Sequence, residues 1–72
     1  MNMIETIRTF VLHSPFCPFG ICLSDGASIP VRHPEMIALD PNGRSAIVYR
    51  DDGSFQILNP QQITRVEVTV NA

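Results

Sequence analysis

A chain of 72 residues has room for one domain, 1–72, and its 44% hydrophobic content, rich in Ile and Val, excludes a disordered segment. The net charge is −2, and the five basic residues, Arg8, Arg32, Arg44, Arg50 and Arg65, are scattered rather than gathered into the stripe of a nucleic-acid binder. No stretch approaches the ~18 apolar residues of a membrane span, and Glu5 and Arg8 interrupt the apolar stretch where a signal peptide would lie, so a cytoplasmic setting is expected.

Residues 2–13 read as an amphipathic helix. Met3, Ile4, Ile7, Phe10 and Val11 recur at three- and four-residue spacings and make one apolar stripe. Asn2 suits the N-cap, and Glu5 completes a capping-box pattern while complementing the positive end of the helix. Ser14-Pro15 stops the helix, because the residue before a proline is pushed out of the α region. Pro15 to Phe19 is then extended. Its two phenylalanines are expected to plug the space between helix and sheet, with an exposed peptide-binding pair as the alternative.

Phe19, Ile21 and Leu23 alternate before Asp25-Gly26, and Ile29 and Val31 alternate after it, a strong short-range hairpin signal. Pro30 cannot donate to a ladder, which puts the second strand at an edge or at a bulge. His33-Pro34-Glu35 turns the chain into Met36–Leu39, expected to be a third strand buried on both faces. After the Asp40-Pro41-Asn42-Gly43 turn, Ala46–Arg50 and Phe55–Asn59 form a second hairpin around Asp51-Asp52-Gly53. Asn59 to Gln62 should make a turn or one turn of 3₁₀ helix. The last strand, Thr64–Val70, should place Val66, Val68 and Val70 inward, with Arg65, Glu67 and Thr69 outward. The expected core is Ile21, Leu23, Ile29, Val31, Ile37, Leu39, Ile47, Tyr49, Ile57, Val66 and Val68, with Ile7 and Phe10 covering one end.

The expected fold class is mostly β: an N-terminal amphipathic helix followed by a five- or six-stranded antiparallel small β-barrel over residues 16–70. Closure removes exposed sheet edges. The order resembles the Sm-like and SH3-like small barrels. It is similar to the Hfq-type bacterial Sm proteins in its helix, its Asp25-Gly26 hairpin, its Met36–Leu39 run and its turn into Ile63–Val68. That resemblance implies an RNA-binding ring. The chain departs from it at Ile57–Gln62, where those proteins place a Lys-His pair used on RNA, and in the long span from Gly26 to Ile63, which has room for an extra strand. A closer resemblance is to small bacterial proteins of unknown function that share Pro-Phe-x-Pro-Phe, an Asp-Gly hairpin and Val-x-His-Pro-Glu, here Pro15–Phe19, Asp25-Gly26 and Val31–Glu35. It implies kinship and carries no activity.

Three groups of polar residues are candidates for chemistry. His13, Cys17, Cys22 and His33 have the inventory of a zinc site but not the two close pairs of a finger. Along an extended 17–22 segment the two cysteine Cα atoms would lie ~16 Å apart, beyond the ~7 Å that a disulfide spans. Both are read as small hydrophobes, and no metal or other cofactor is expected. Asp51-Asp52-Gly53, with Asp40 and Asn42, lacks the Asp-x-Asp-x-Asp-Gly pattern of a calcium loop and reads as turn chemistry. Arg32, His33 and Glu35 are the most site-like cluster. An imidazole beside a carboxylate is suited to acid–base work, yet no nucleophile stands nearby in sequence, so a binding or turn-capping role is expected and no catalytic residue.

The expected function is a non-enzymatic interaction or regulatory module that binds a protein partner or another copy of itself. The second strand, with Pro30, and the final strand are both candidate exposed edges; a closed homo-oligomer built by strand addition or helix exchange is expected, with Arg65 and Glu67 of the final strand able to complement each other across two copies. The Sm-like RNA ring is the alternative, and neither DNA nor a membrane is an expected partner.

Overall fold

The computed structural model describes residues 2–68. Helix α1 spans Met3–Leu12, followed by strands β1 (Phe19–Leu23), β2 (Ser28–Val31), β3 (Ile37–Leu39), β4 (Ala46–Tyr49), β5 (Phe55–Leu58) and β6 (Ile63–Val68). Single 3₁₀ turns, Pro34–Met36 and Pro60–Gln62, precede β3 and β6. The strands form two antiparallel three-stranded sheets, ordered β2-β1-β6 and β3-β4-β5. The architecture is therefore mostly β with one N-terminal helix. Among the described residues no ladder joins the two sheets into a closed barrel.

The local reasons follow from the residues. The Asn2 side chain accepts from the Ile4 N–H at 2.7 Å and so caps α1, while its own amide donates to the Gly43 carbonyl at 2.7 Å. Gly43 has φ +75°, and a Cβ there would lie 3.1 Å from the Asn2 amide and 3.2 Å from the Glu5 carboxylate. Glycine is therefore needed twice over, for the turn and for the helix seated on it. Arg8 bonds both oxygens of Glu5 at 3.2 Å and donates to the Asp40 carbonyl at 2.8 Å. The start of α1 is thus tied to the β3–β4 turn. The Asn59 turn carries the capping box, its side chain accepting from Gln61 N–H at 2.9 Å and Gln62 reaching back to the Asn59 N–H at 3.1 Å.

The core lies between α1 and the two sheets. Ile4 and Ile7 from α1 are fully buried against Phe19, Ile21, Ile29, Val31, Ile37, Ala46, Val48, Leu58 and Ile63. Phe10, Phe16, Leu23, Leu39 and Val66 pack around them, half-buried. Phe19 holds the plug expected of the proline-rich segment, with Phe10 and Phe16 rings at 5.6 and 5.9 Å.

Four core expectations need correction. In the second hairpin the inward residues are Ala46, Val48 and Leu58, while Ile57 is 65% and Tyr49 42% exposed and Ile47 is half-buried. The phase is opposite to the one expected: β4 is apolar on both faces, so alternation there has no preference, and β5 follows it with Gln56 on the inner face beside Val48. Ile37 is buried but Ala38 is exposed, so β3 is buried on one face. Val68 shares the inner face with its partner Phe19, yet it ends an outer strand and stays 44% exposed. Thr64 forms a bulge: Leu23 pairs with Ile63 and Cys22 with Arg65, so Ile63 and Val66, three apart, both turn inward. The expected inward Val70 lies outside the described residues.

Candidate functional site

The end of β2 and the end of β4 approach each other across the junction of the two sheets, leaving a cleft of ≈ 280 Å³. Its floor is Ile29, Val48 and Met36, and its wall includes Pro30 and the half-exposed Tyr49 ring. Arg32, His33, Arg50 and Asp51 stand around it. Two of the three residues singled out in the sequence, Arg32 and His33, are brought together here. Glu35 is not among the lining residues; it sits in the 3₁₀ turn, 3.9 Å from His33 Nδ1, with both side chains largely in solvent. A pair so exposed contributes little.

Arg50 and Tyr49 were missed. They lie 16 or more residues from Arg32 and His33 in sequence, and only the path through β3 and the Asp40–Ser45 turn brings β4 alongside β2. Arg32 and Pro30 also border a shallower hollow of ≈ 250 Å³ shared with Pro18, Gly20, Ser28 and Glu67.

The arginines divide by partner. Arg8 pairs with Glu5 at 3.2 Å, Arg44 with Asp40 at 3.1 Å and Arg65 with Glu67 at 2.5 Å. Among the described residues neither Arg32 nor Arg50 has a carboxylate within pairing distance; the Arg50 guanidinium donates to the Ser54 hydroxyl at 3.4 Å, and its charge helps to depress the Asp52 carboxyl.

The acidic turn residues are engaged locally. Asp40 Oδ2 accepts from the Arg44 guanidinium at 3.1 Å and from the Arg44 and Asn42 N–H groups at 3.0 and 3.1 Å. The hydrogen bonds from Arg44 hold its carboxyl below the ordinary aspartate value. Asp52 accepts from the Ser54 hydroxyl at 2.6 Å and the Ser54 N–H at 2.9 Å, which depresses its carboxyl likewise. These are turns closing on themselves.

The four zinc-inventory residues are not gathered at one point. His13 Nδ1 and Cys17 Sγ both approach the Pro15 carbonyl, at 3.0 and 4.0 Å, whereas the Cys22 thiol donates to Glu67 at 3.6 Å and His33 lines the cleft. Neither cysteine is in a disulfide. Among the described residues no three His, Cys, Asp or Glu side chains are grouped to hold a metal.

A second feature is a sheet face. On the outer side of β3-β4-β5, Ala38 neighbours Ile47, Ile47 neighbours Ile57, and Tyr49 neighbours Phe55 with ring centroids 5.9 Å apart. Phe55 is 56% exposed. β5 is the outer strand of this sheet, and among the described residues nothing pairs with its far edge.

Comparison with family models finds no match, and comparison with curated proteins finds none. The chain is similar in structure to a protein solved by X-ray crystallography as a Northeast Structural Genomics Consortium target. The TM-score is 0.58 at 16% identity, covering 78% of this chain and 96% of that one. At that identity the likeness concerns the fold.

Proposed function

We propose that the protein is a small β-barrel of the Sm-like and SH3-like kind that works as a non-enzymatic interaction module in the cytoplasm and assembles with copies of itself. In such barrels one bent strand passes from one sheet to the other. The stretch from β2 through the Pro34–Met36 turn to β3 follows that path, and a 3₁₀ turn introduces the last strand. The kinship with small bacterial proteins sharing the Val31–Glu35 motif belongs to the same reading.

The observation that carries the function is the outer face of β3-β4-β5. Its hairpin had two phases to choose from, and the bulkier apolar set, Ile47, Tyr49, Phe55 and Ile57, is the one turned away from the core. Nothing in an isolated domain rewards that choice, whereas a covering partner does. Given aromatic side-chain areas of ~150–250 Å², exposures of 42%, 56% and 65% at Tyr49, Phe55 and Ile57 leave an apolar patch of about 300 Å². A stable interface takes ~800 Å² from each partner. The patch supplies the apolar centre of such an area, and the unpaired edge of β5 supplies backbone groups beside it. The contact therefore moves from β2 and β6, the expected edges, to β5. A second copy suits it best because the strand can pair with itself: an antiparallel crossing centred on Gln56 sets Phe55 beside the partner's Ile57 on the same outer face.

Light scattering at micromolar concentration tests this. The expected mass is a multiple of the chain that falls to the monomer in Phe55→Glu with Ile57→Glu. A monomeric wild type overturns self-assembly and the ring alternative together. The RNA-binding ring is favoured by the helix-first strand order; it predicts RNA affinity at low salt, where phosphate contacts are strongest.

A further inference from the structure

The cleft between β2 and β4 carries two arginines that the outer-face reading does not use. Among the described residues three of the five arginines are paired with a carboxylate, and the two without one in pairing distance, Arg32 and Arg50, border the same cleft. Glu67, across the second hollow from Arg32, is held by Arg65, and Asp52, whose carboxyl also feels the charge of Arg50, is bonded by the Ser54 hydroxyl and N–H and not by the guanidinium. Asp51 alone lines the cleft from the acidic side, and His33 stands opposite with Glu35 at 3.9 Å.

Beneath these charges the floor is apolar, with Val48 1% and Ile29 6% exposed, and Tyr49 lines one wall. A guanidinium offers a planar fork of donors that matches a carboxylate or a phosphate two bonds at a time. Two such forks over an apolar floor favour a ligand with a charged head and an uncharged, flat body. At ≈ 280 Å³ the space is at the small end of ligand sites. It suits one ring with its head group.

We propose that the cleft binds a small oxyanion, a phosphate or a carboxylate, carried on an apolar ring. The head group takes Arg32 and Arg50, and the ring lies on Ile29 and Val48 against Tyr49. The cleft shares Tyr49 with the outer face proposed for self-assembly, so the assignment rests on Arg32 and Arg50, which take no part in that face.

The test uses the full chain and three probes: phenyl phosphate, benzoate and inorganic phosphate, with phenol as the uncharged control. Amide and arginine side-chain NMR signals are followed during titration. The expected result is saturable shifts at Arg32, Arg50 and Tyr49 with one or both ring-bearing anions, roughly tenfold weaker binding of inorganic phosphate, and no shifts with phenol. Whichever of phenyl phosphate and benzoate binds more tightly names the head group. Arg32→Gln with Arg50→Gln should weaken binding by at least about tenfold at an unchanged melting temperature, while Arg44→Gln, removing an equally exposed but paired arginine, leaves it intact. The proposal is overturned if no probe shifts the cleft, if inorganic phosphate binds as well as the ring-bearing anions, or if Arg44→Gln weakens binding as much as the double variant. Each of these readouts is separate from the solution mass, so the cleft and the outer face fail or stand apart.

Discussion

Val48→Ala set against Ile57→Ala tests the phase of the second hairpin. Val48 is 1% exposed and sits between Ile37 and Gln56 on the inner face. Removing two carbons there loses ~0.8 kcal/mol each in transfer, and the cavity left behind raises the loss to about 2–3 kcal/mol. Ile57 loses three carbons, but at 65% exposure only a third of that area was buried, so the loss is under about 1 kcal/mol. For a domain of this size the first change lowers the melting temperature by about 10–20 °C and the second by a few degrees. Far-UV circular dichroism is the suitable signal, because the chain has no Trp and one Tyr. The measurement is made at two protein concentrations. A loss at Ile57 that grows with concentration reports an interface, whereas one that is independent of concentration reports a core. If Ile57→Ala costs as much as Val48→Ala in the dilute limit, the inner and outer faces have been assigned the wrong way round.

Other outcomes follow from single contacts. Asn2→Ala should destabilise by about 1–2 kcal/mol, since it removes both the cap on Ile4 and the bond to the Gly43 carbonyl; an unchanged urea midpoint would refute it. Gln56 has a buried Oε1 with no hydrogen-bond partner among the described residues, so Gln56→Met should be neutral or stabilising, and a marked loss would mean that the amide is satisfied. The carboxyls of Asp40 and Asp52 are held below the ordinary aspartate value, 3.8. Their contribution is present above that pH and is lost as pH falls through the depressed folded values, so Asp40→Asn with Asp52→Asn should flatten the acid limb of stability. The same acid slope in that variant would refute the assignment. Chelator should leave the melting temperature unchanged and Cys17→Ser with Cys22→Ser should fold; unfolding by chelator would place a metal on those residues.

Much of the fold could be read in the chain because local chemistry and long-range packing agree there. The helix stripe, the Asp25-Gly26 hairpin and the Asn59–Gln62 turn each carry residues suited to one conformation. The misreadings have physical causes of two kinds. Ile47, Tyr49 and Ile57 read as core because β4 is apolar on both faces and Gln56 of β5 marks as outer the face that the fold turns inward. Ile63 was passed over because a bulge at Thr64 adds a residue to the period, and its Oγ1 bond to the Cys22 carbonyl, 3.1 Å, is a cross-strand contact with no local signature. The site was half legible. Arg32 and His33 are neighbours in sequence, whereas Arg50 reaches them through the turn of a different sheet, and the choice between paired and unpaired arginines depends on side chains that only the fold brings near.

The anchoring of α1 bears on how the molecule opens. Its first residues hold the Asp40–Gly43 turn of the second sheet, through Asn2 to Gly43 and Arg8 to Asp40, while Phe10 packs on Phe19 of the first. Each sheet alone has three short strands and little to keep it folded. With the helix lying across both, neither sheet can separate without undocking it, and undocking exposes Ile4 and Ile7 along with the inner faces of both sheets. Amide hydrogens of β1 and β4 should therefore exchange at one common rate set by global opening, not at two rates set by two independent sheets.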